Sequence, residues 1–253
     1  MATKSWERKS RSAMVYIPFA ALVVVFLVIF GVGVFLRILY FEIEGASRYT
    51  ELEIIKASGI ASGDSLIFLD ADTAAKYIIS ELPYIADVKI SHTLPDTLCI
   101  EVKEIAAFAV IAYKDGYVIL DSIGRELEKT QTMPEGLIEL KGFVPYESSQ
   151  GQIIKVSSAD ESKFIFALEV MAEIEDRNIH SNVSVLDASN ITKITIQYSD
   201  KYRVVLGTTT DIKNKFGLLL AFVAERASSE APDLTGTYNM SETTGSGIWS
   251  PDR

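Results

Sequence analysis

The residues able to do chemistry are few. The chain holds one cysteine, Cys99, and two histidines, His92 and His180. A cysteine nucleophile needs a base, and a cation or helix N-terminus to lower its pKa. His92 lies seven residues from Cys99 across a turn, close enough to be weighed as that base. Cys99, however, stands between Leu98 and Ile100 in an alternating run, and a plain strand residue accounts for it. His180 follows a helical stretch among polar residues and reads as a surface side chain. Asp70-Ala71-Asp72 would suit a cation, yet no third or fourth oxygen ligand follows at loop spacing. A helix cap accounts for both aspartates. Glu173-Ile174-Glu175-Asp176 reads as a solvated acidic helix end. Two histidines and one cysteine cannot build the usual four-ligand zinc site, and one cysteine cannot close an intramolecular disulfide. The sequence contains no G-x-S-x-G, Walker loop or dinucleotide fingerprint. The reading expects no catalytic residue, no metal and no cofactor.

The elements that would position these groups follow from charge and hydropathy. The 253 residues carry 24 Lys+Arg against 34 Asp+Glu, a net charge of −10. That acidity opposes nucleic-acid binding, which needs a basic footprint. Mean hydropathy is +0.21 although 23% of residues are charged, so an apolar block must be concentrated somewhere. It is residues 14–36, 23 residues without a charge. As a helix they span about 34 Å, against about 30 Å of bilayer hydrocarbon. Pro18 falls in the first turn of this block, where a missing N–H costs little. Lys4, Arg8, Lys9 and Arg11 against Glu7 give the head a charge of +3, leaving −13 for residues 14–253. The positive-inside rule places residues 1–13 in the cytoplasm and the bulk outside. A cleaved signal peptide has a shorter apolar region, and Gly31-Val32-Gly33 is a poor substitute for its small-residue site. The reading expects one membrane-spanning helix in the lipid bilayer.

The exported part divides near residue 105. Residues 37–105 read as β-α-α-β-β. Residues 38–44 form a strand ending at Gly45. Thr50-x-x-Glu53 has capping-box form, opening a short helix with Leu52 and Ile55 as its apolar residues and ending near Gly59. Asp70 or Asp72 caps a second helix carrying Ala74, Ala75, Ile78, Ile79 and Leu82. Two strands follow, with Ala86, Val88 and Ile90, then Leu98, Ile100 and Val102 inward.

Residues 106–253 read as a mixed α/β domain with a largely antiparallel sheet, so the class is α+β. Asp115-Gly116 signals a hairpin between 108–113 and 117–120. Ser158-x-x-Glu161 suggests a second capping box, before a helix with Phe164, Leu168, Met171 and Ile174. Strands near 183–186, 194–198 and 202–206 precede a helix from Asp211 to Ala227. A final strand near 234–241 follows, with an extra one through Ile248-Trp249.

The order of these features carries a resemblance. Phe41-Glu42-Ile43-Glu44-Gly45, Gly63-Asp64-Ser65-Leu66, Leu82-Pro83-Tyr84-Ile85 and Leu94-Pro95-Asp96-Thr97-Leu98 resemble the strand, turn and hairpin of a POTRA domain. Leu120-Asp121-Ser122-Ile123-Gly124, Leu206-Gly207 with Lys215 and Leu218-Leu219, Gly236–Ser241 and Trp249-Ser250-Pro251 resemble segments of the β domain of FtsQ/DivIB division proteins. Asn239 departs from that pattern, which has Asp there. The resemblance implies a septal membrane scaffold rather than an enzyme, with no small-molecule substrate. Its implied partners are FtsL and FtsB/DivIC-like bitopic proteins, and its implied role is helping to control septal peptidoglycan synthesis. It also implies a partner surface on the last strands, at Tyr238, Ser241, Thr243, Gly245 and Trp249. The POTRA face around Asp70 to Asp96 is a second candidate. Packing of Tyr238 and Trp249 on the preceding helix is the competing reading of those two aromatics. An envelope assembly factor or a membrane-anchored wall enzyme are the rival classes.

Overall fold

The computed structural model describes residues 10–229, 231, 233–241 and 247–252. They form two compact units, Met1–Glu104 and Ile105–Arg253.

The first unit opens with helix α1 (Ser10–Phe35). It starts four residues before the apolar block, so Pro18 lies in its interior and not in its first turn. Tyr16, Phe19, Leu22, Phe26 and Phe30 are exposed on it. Among the described residues no helix is long and apolar enough to cross a membrane. Strand β1 (Tyr40–Glu44), helices α2 (Glu51–Ser58) and α3 (Ala71–Glu81), and strands β2 (Ile85–Thr93) and β3 (Thr97–Glu104) complete the unit. The sheet order is β1-β3-β2, with β3 parallel to β1 and antiparallel to β2.

Local chemistry sets these boundaries. Thr50 and Glu53 form the reciprocal capping box at the start of α2. The Asp70 carboxylate accepts from Thr73 N–H and Oγ1 and starts α3. Inside, Ile38, Ile54, Ile78, Ile85, Leu98 and Ile100 are fully buried. The inward residue of α2 is therefore Ile54; Leu52 is 75% exposed, because the helix turns its 54/58 stripe to the sheet. Cys99 points to the opposite face, beside Glu42 Oε2 (3.5 Å) and Thr93 Oγ1 (3.6 Å).

The second unit holds β4 (Ala109–Tyr113), β5 (Gly116–Leu120), β6 (Glu126–Thr130), β7 (Ile138–Lys141), β8 (Pro145–Glu147), β9 (Lys155–Val156), α4 (Glu161–Asp176), β10 (Val183–Asp187), β11 (Ile194–Tyr198), β12 (Tyr202–Gly207), α5 (Ile212–Ala227), β13 (Gly236–Asn239) and β14 (Ile248–Pro251). Among the described residues, nine of these strands form one sheet in the order β14-β13-β12-β11-β10-β7-β4-β5-β6. Five of its eight pairings are antiparallel; β10–β7, β4–β7 and β12–β13 are parallel. Helices α4 and α5 touch and share one core with the sheet, built on Ile111, Leu140, Met171, Leu186, Val204, Phe216 and Leu219.

Several local expectations are corrected here. The β4–β5 turn consists of Lys114 and Asp115, with Tyr113 opposite Gly116. Lys114 takes the left-handed conformation at φ 50°. Gly116 is needed instead for proximity: a Cβ there would lie 2.5 Å from the Thr130 carbonyl oxygen of β6. The second capping box does not form, because Asp160 precedes α4 without a cap bond and its carboxylate binds Ser157 Oγ and Lys163 Nζ. Glu173 is buried, not solvated, and pairs with Arg177 at 3.3 Å. His180 is half-buried against Phe108, its Nε2 2.7 Å from the Phe108 carbonyl oxygen.

Candidate functional site

The Cys99–His92 pair provides no catalytic centre. His92 pairs with Leu98 in the β2–β3 register, one position from Cys99, so the two side chains leave opposite faces of the sheet. Among the described residues no cluster of His, Cys, Asp and Glu could hold a metal ion.

The strongest site for recognition is the end of the nine-stranded sheet. It begins with α5, which Lys215 fixes to the end of β12: the buried ammonium donates to the Thr208 carbonyl at 2.8 Å. Burial pushes the Lys215 pKa down, partly opposed by Asp211. Phe222 on α5 then faces an aromatic group. Tyr238 stacks on it with centroids 4.1 Å apart, Tyr202 meets it edge-on at 5.5 Å, and Trp249 lies at 5.1 Å. The Arg226 guanidinium sits 5.5 Å over the Trp249 ring. The period of two brings Tyr238 and Trp249 together, since they are direct partners in the β13–β14 register.

Of the five residues expected on a partner surface, Tyr238 is buried and Trp249 half-buried, both turned toward α5. Ser241 is exposed; its N–H and Oγ both bind Asn239 Oδ1, at 3.0 and 2.7 Å. This turn needs only a side-chain oxygen, which Asn supplies as well as Asp. Thr243 and Gly245 lie outside the described residues.

What the last strand offers to solvent is backbone. Asp252 N–H donates to the Thr235 carbonyl at 3.0 Å, which marks that pair as hydrogen-bonded. Antiparallel alternation then makes Thr237–Ser250 and Asn239–Ile248 the next bonded pairs. The N–H and C=O of Trp249 turn away from β13, toward the edge that no strand covers among the described residues. Pro251 occupies another outward position, where a missing N–H breaks no ladder bond. Ile248 projects from the outer face, 64% exposed. Neither Ile248 nor the supporting Phe222 and Arg226 stood among the sequence candidates. The alternation Ile248/Trp249/Ser250 carried the signal for Ile248.

Comparisons with known proteins place the chain among relatives. A family model described as "POTRA domain, FtsQ-type" matches residues 36–104. Cell division protein DivIB of Clostridium botulinum is 32% identical over 199 residues, covering 76% of this chain and 75% of that one. Cell division protein FtsQ of Corynebacterium glutamicum is 27% identical over 197 residues, covering 76% and 83%. The major extracytoplasmic domain of DivIB from Geobacillus stearothermophilus matches 48% of this chain and 93% of its own at 16% identity, with a TM-score of 0.31.

Proposed function

The chain belongs to the FtsQ/DivIB family of cell division proteins, and from that premise we propose that it is a bitopic scaffold of the division septum. Residues 1–13 form a cytoplasmic tail and 14–36 cross the cell membrane once. Residues 37–105 form the POTRA domain and 106–253 the β domain, both outside. The partners are FtsL and FtsB/DivIC-like proteins, and the consequence of binding them is control of septal peptidoglycan synthesis, without catalysis by this chain.

The observation that carries this reading is the free edge of β14. An extended partner segment can pair with the outward N–H and C=O of Trp249, adding a tenth strand to the sheet. The aromatic cluster behind Trp249 keeps that edge in register, so Tyr238 and Trp249 act as the support of the surface, and Ser241, Thr243 and Gly245 complete the proposed set of partner residues. The exposed Ile248 gives the incoming strand an apolar contact.

Binding of an FtsB/DivIC-like ectodomain tests the surface. Truncation after Ser228 removes both last strands and abolishes binding. Ile248→Glu, at an exposed position, keeps the fold and weakens binding at least tenfold. Unchanged affinity in both variants would sink the assignment. A C-terminal alkaline phosphatase fusion is active in this topology, and a fluorescent fusion forms a midcell band.

A further inference from the structure

Apolar side chains crowd the end of the POTRA domain from which α1 departs. Phe68 is 82% exposed and Leu94 60%, and Leu39, Tyr40 and Ile67 are exposed beside them. They come from three separate segments: the loop before α3, the β2–β3 turn and the start of β1. Backbone bonds tie all three to the residues just after the helix. Leu66 N–H donates to the Leu36 carbonyl, Ile38 N–H to Asp64, and Leu39 N–H to Asp96, at 2.9–3.1 Å. Arg37 bridges Ser65, and its guanidinium donates to the Gly63 carbonyl.

These bonds fix the distance from the membrane. Helix α1 ends at Phe35. From there to Ile38 is three residues, at most about 10 Å of chain. The polar interfacial layer adds roughly 5–8 Å outside each face of the hydrocarbon. Loops hydrogen-bonded to Leu36–Leu39 therefore stand at headgroup level if residues 14–36 span the bilayer. An exposed Phe, Ile and Leu with a Tyr and an Arg are the residue types that settle there.

We propose that this end of the POTRA domain is a membrane-seating surface, with Ile67, Phe68 and Leu94 inserted into the lipid interface and Arg37 at the headgroups. The inference rests on the membrane-helix reading above. Its occupant is lipid itself. Apart from Arg37, the charged groups on these segments, Asp64, Asp70 and Asp96, are acidic, so the contact is mainly apolar and one cation among three carboxylates does not select anionic lipid. Seating restricts the tilt of the domain relative to the bilayer.

The test uses the full chain reconstituted in phosphatidylcholine vesicles. An environment-sensitive fluorophore is placed at Phe68→Cys or Leu94→Cys in a Cys99→Ser background, with Lys89→Cys as the water-exposed control. The labels at 68 and 94 should be blue-shifted and quenched at least twofold more than the control by nitroxide lipid. Adding 20% phosphatidylglycerol (about one lipid in five) or salt should change neither. Phe68→Glu should return the label at 94 to a water-like spectrum, with the circular dichroism melt unchanged. Labels that stay water-like while the chain resists alkaline carbonate extraction overturn the seating surface and leave the membrane helix standing. Extraction by carbonate overturns both.

Discussion

The ring of Tyr238 lies flat on that of Phe222, with centroids 4.1 Å apart and 6° between planes. Strand β13 and helix α5 are joined through this contact, and Trp249 of β14 closes over it. The contact holds the last two strands against the helix. The aromatic pair supplies rigidity there, because the two rings bury apolar surface and restrict each other's rotation.

Phe222→Ala should therefore destabilise the chain by about 3–5 kcal/mol, as for a large aromatic removed from a core. Phe222→Leu should lose less, on the order of 1–2 kcal/mol, since volume is largely kept while stacking is lost. Denaturant midpoints of the two variants measure the difference. Equal costs would mean that ring stacking contributes nothing beyond volume.

Gly247 lies against the same tyrosine. A Cβ on it would fall 2.4–2.7 Å from ring atoms of Tyr238 and its hydroxyl. Gly247→Ala should cost about 1–3 kcal/mol by forcing the ring or β14 to move. Hydrogen exchange should rise at Ile248 and Ser250, whose N–H groups bond to β13, before it rises in β11. A thermal melt matching the parent chain would show that the strand absorbs the methyl freely.

Lys114 in the β4–β5 turn and Gly116 at the start of β5 should respond in opposite directions. Lys114→Gly relieves a left-handed residue and should stabilise by about 0.5–1 kcal/mol after the entropy of the added glycine is subtracted. Gly116→Ala should destabilise, since its methyl meets the Thr130 carbonyl 2.5 Å away. If the turn were Asp115-Gly116, the substitution at 114 would do nothing. Thermal melts of the two variants decide between these.

Glu104 links acid stability to the POTRA fold. Burial pushes its carboxyl up, but hydrogen bonds from Ser47 Oγ, Ser47 N–H and Arg48 N–H outweigh this and hold it below the ordinary 4.5. A carboxyl lowered on folding contributes stability at pH above its unfolded value, and that contribution disappears as pH falls through the lowered one. Melting temperature should drop as pH goes from about 6 to about 3, and Glu104→Gln should flatten the part of the profile below the unfolded pKa. An identical profile in the variant would remove Glu104 from the linkage.

What the sequence by itself determined is what short-range physics controls. The Thr50–Glu53 box and the Asp70 cap are bonds across three residues, readable without knowing what lies beyond them. The alternation Leu98, Ile100, Val102 names the buried face of β3 because a strand has only two faces. Failures within this range came from local competition: Asp160 binds Lys163 and Ser157 rather than capping α4. Residues 126–130 and 138–141 do not read as strands: Ile138 and Leu140 alternate with charged residues over only four positions, and in Glu126–Thr130 the buried Glu126, held by Ser148 and Lys129, breaks the apolar pattern. The tertiary structure alone decided the rest. The parallel neighbours β7–β10 and β12–β13 are joined by long crossovers, so nothing local encodes their adjacency. The alternation put Tyr238 and Trp249 on one face of their strands, but only the placement of α5 made that face the inner one, and so left backbone rather than aromatic rings at the free edge.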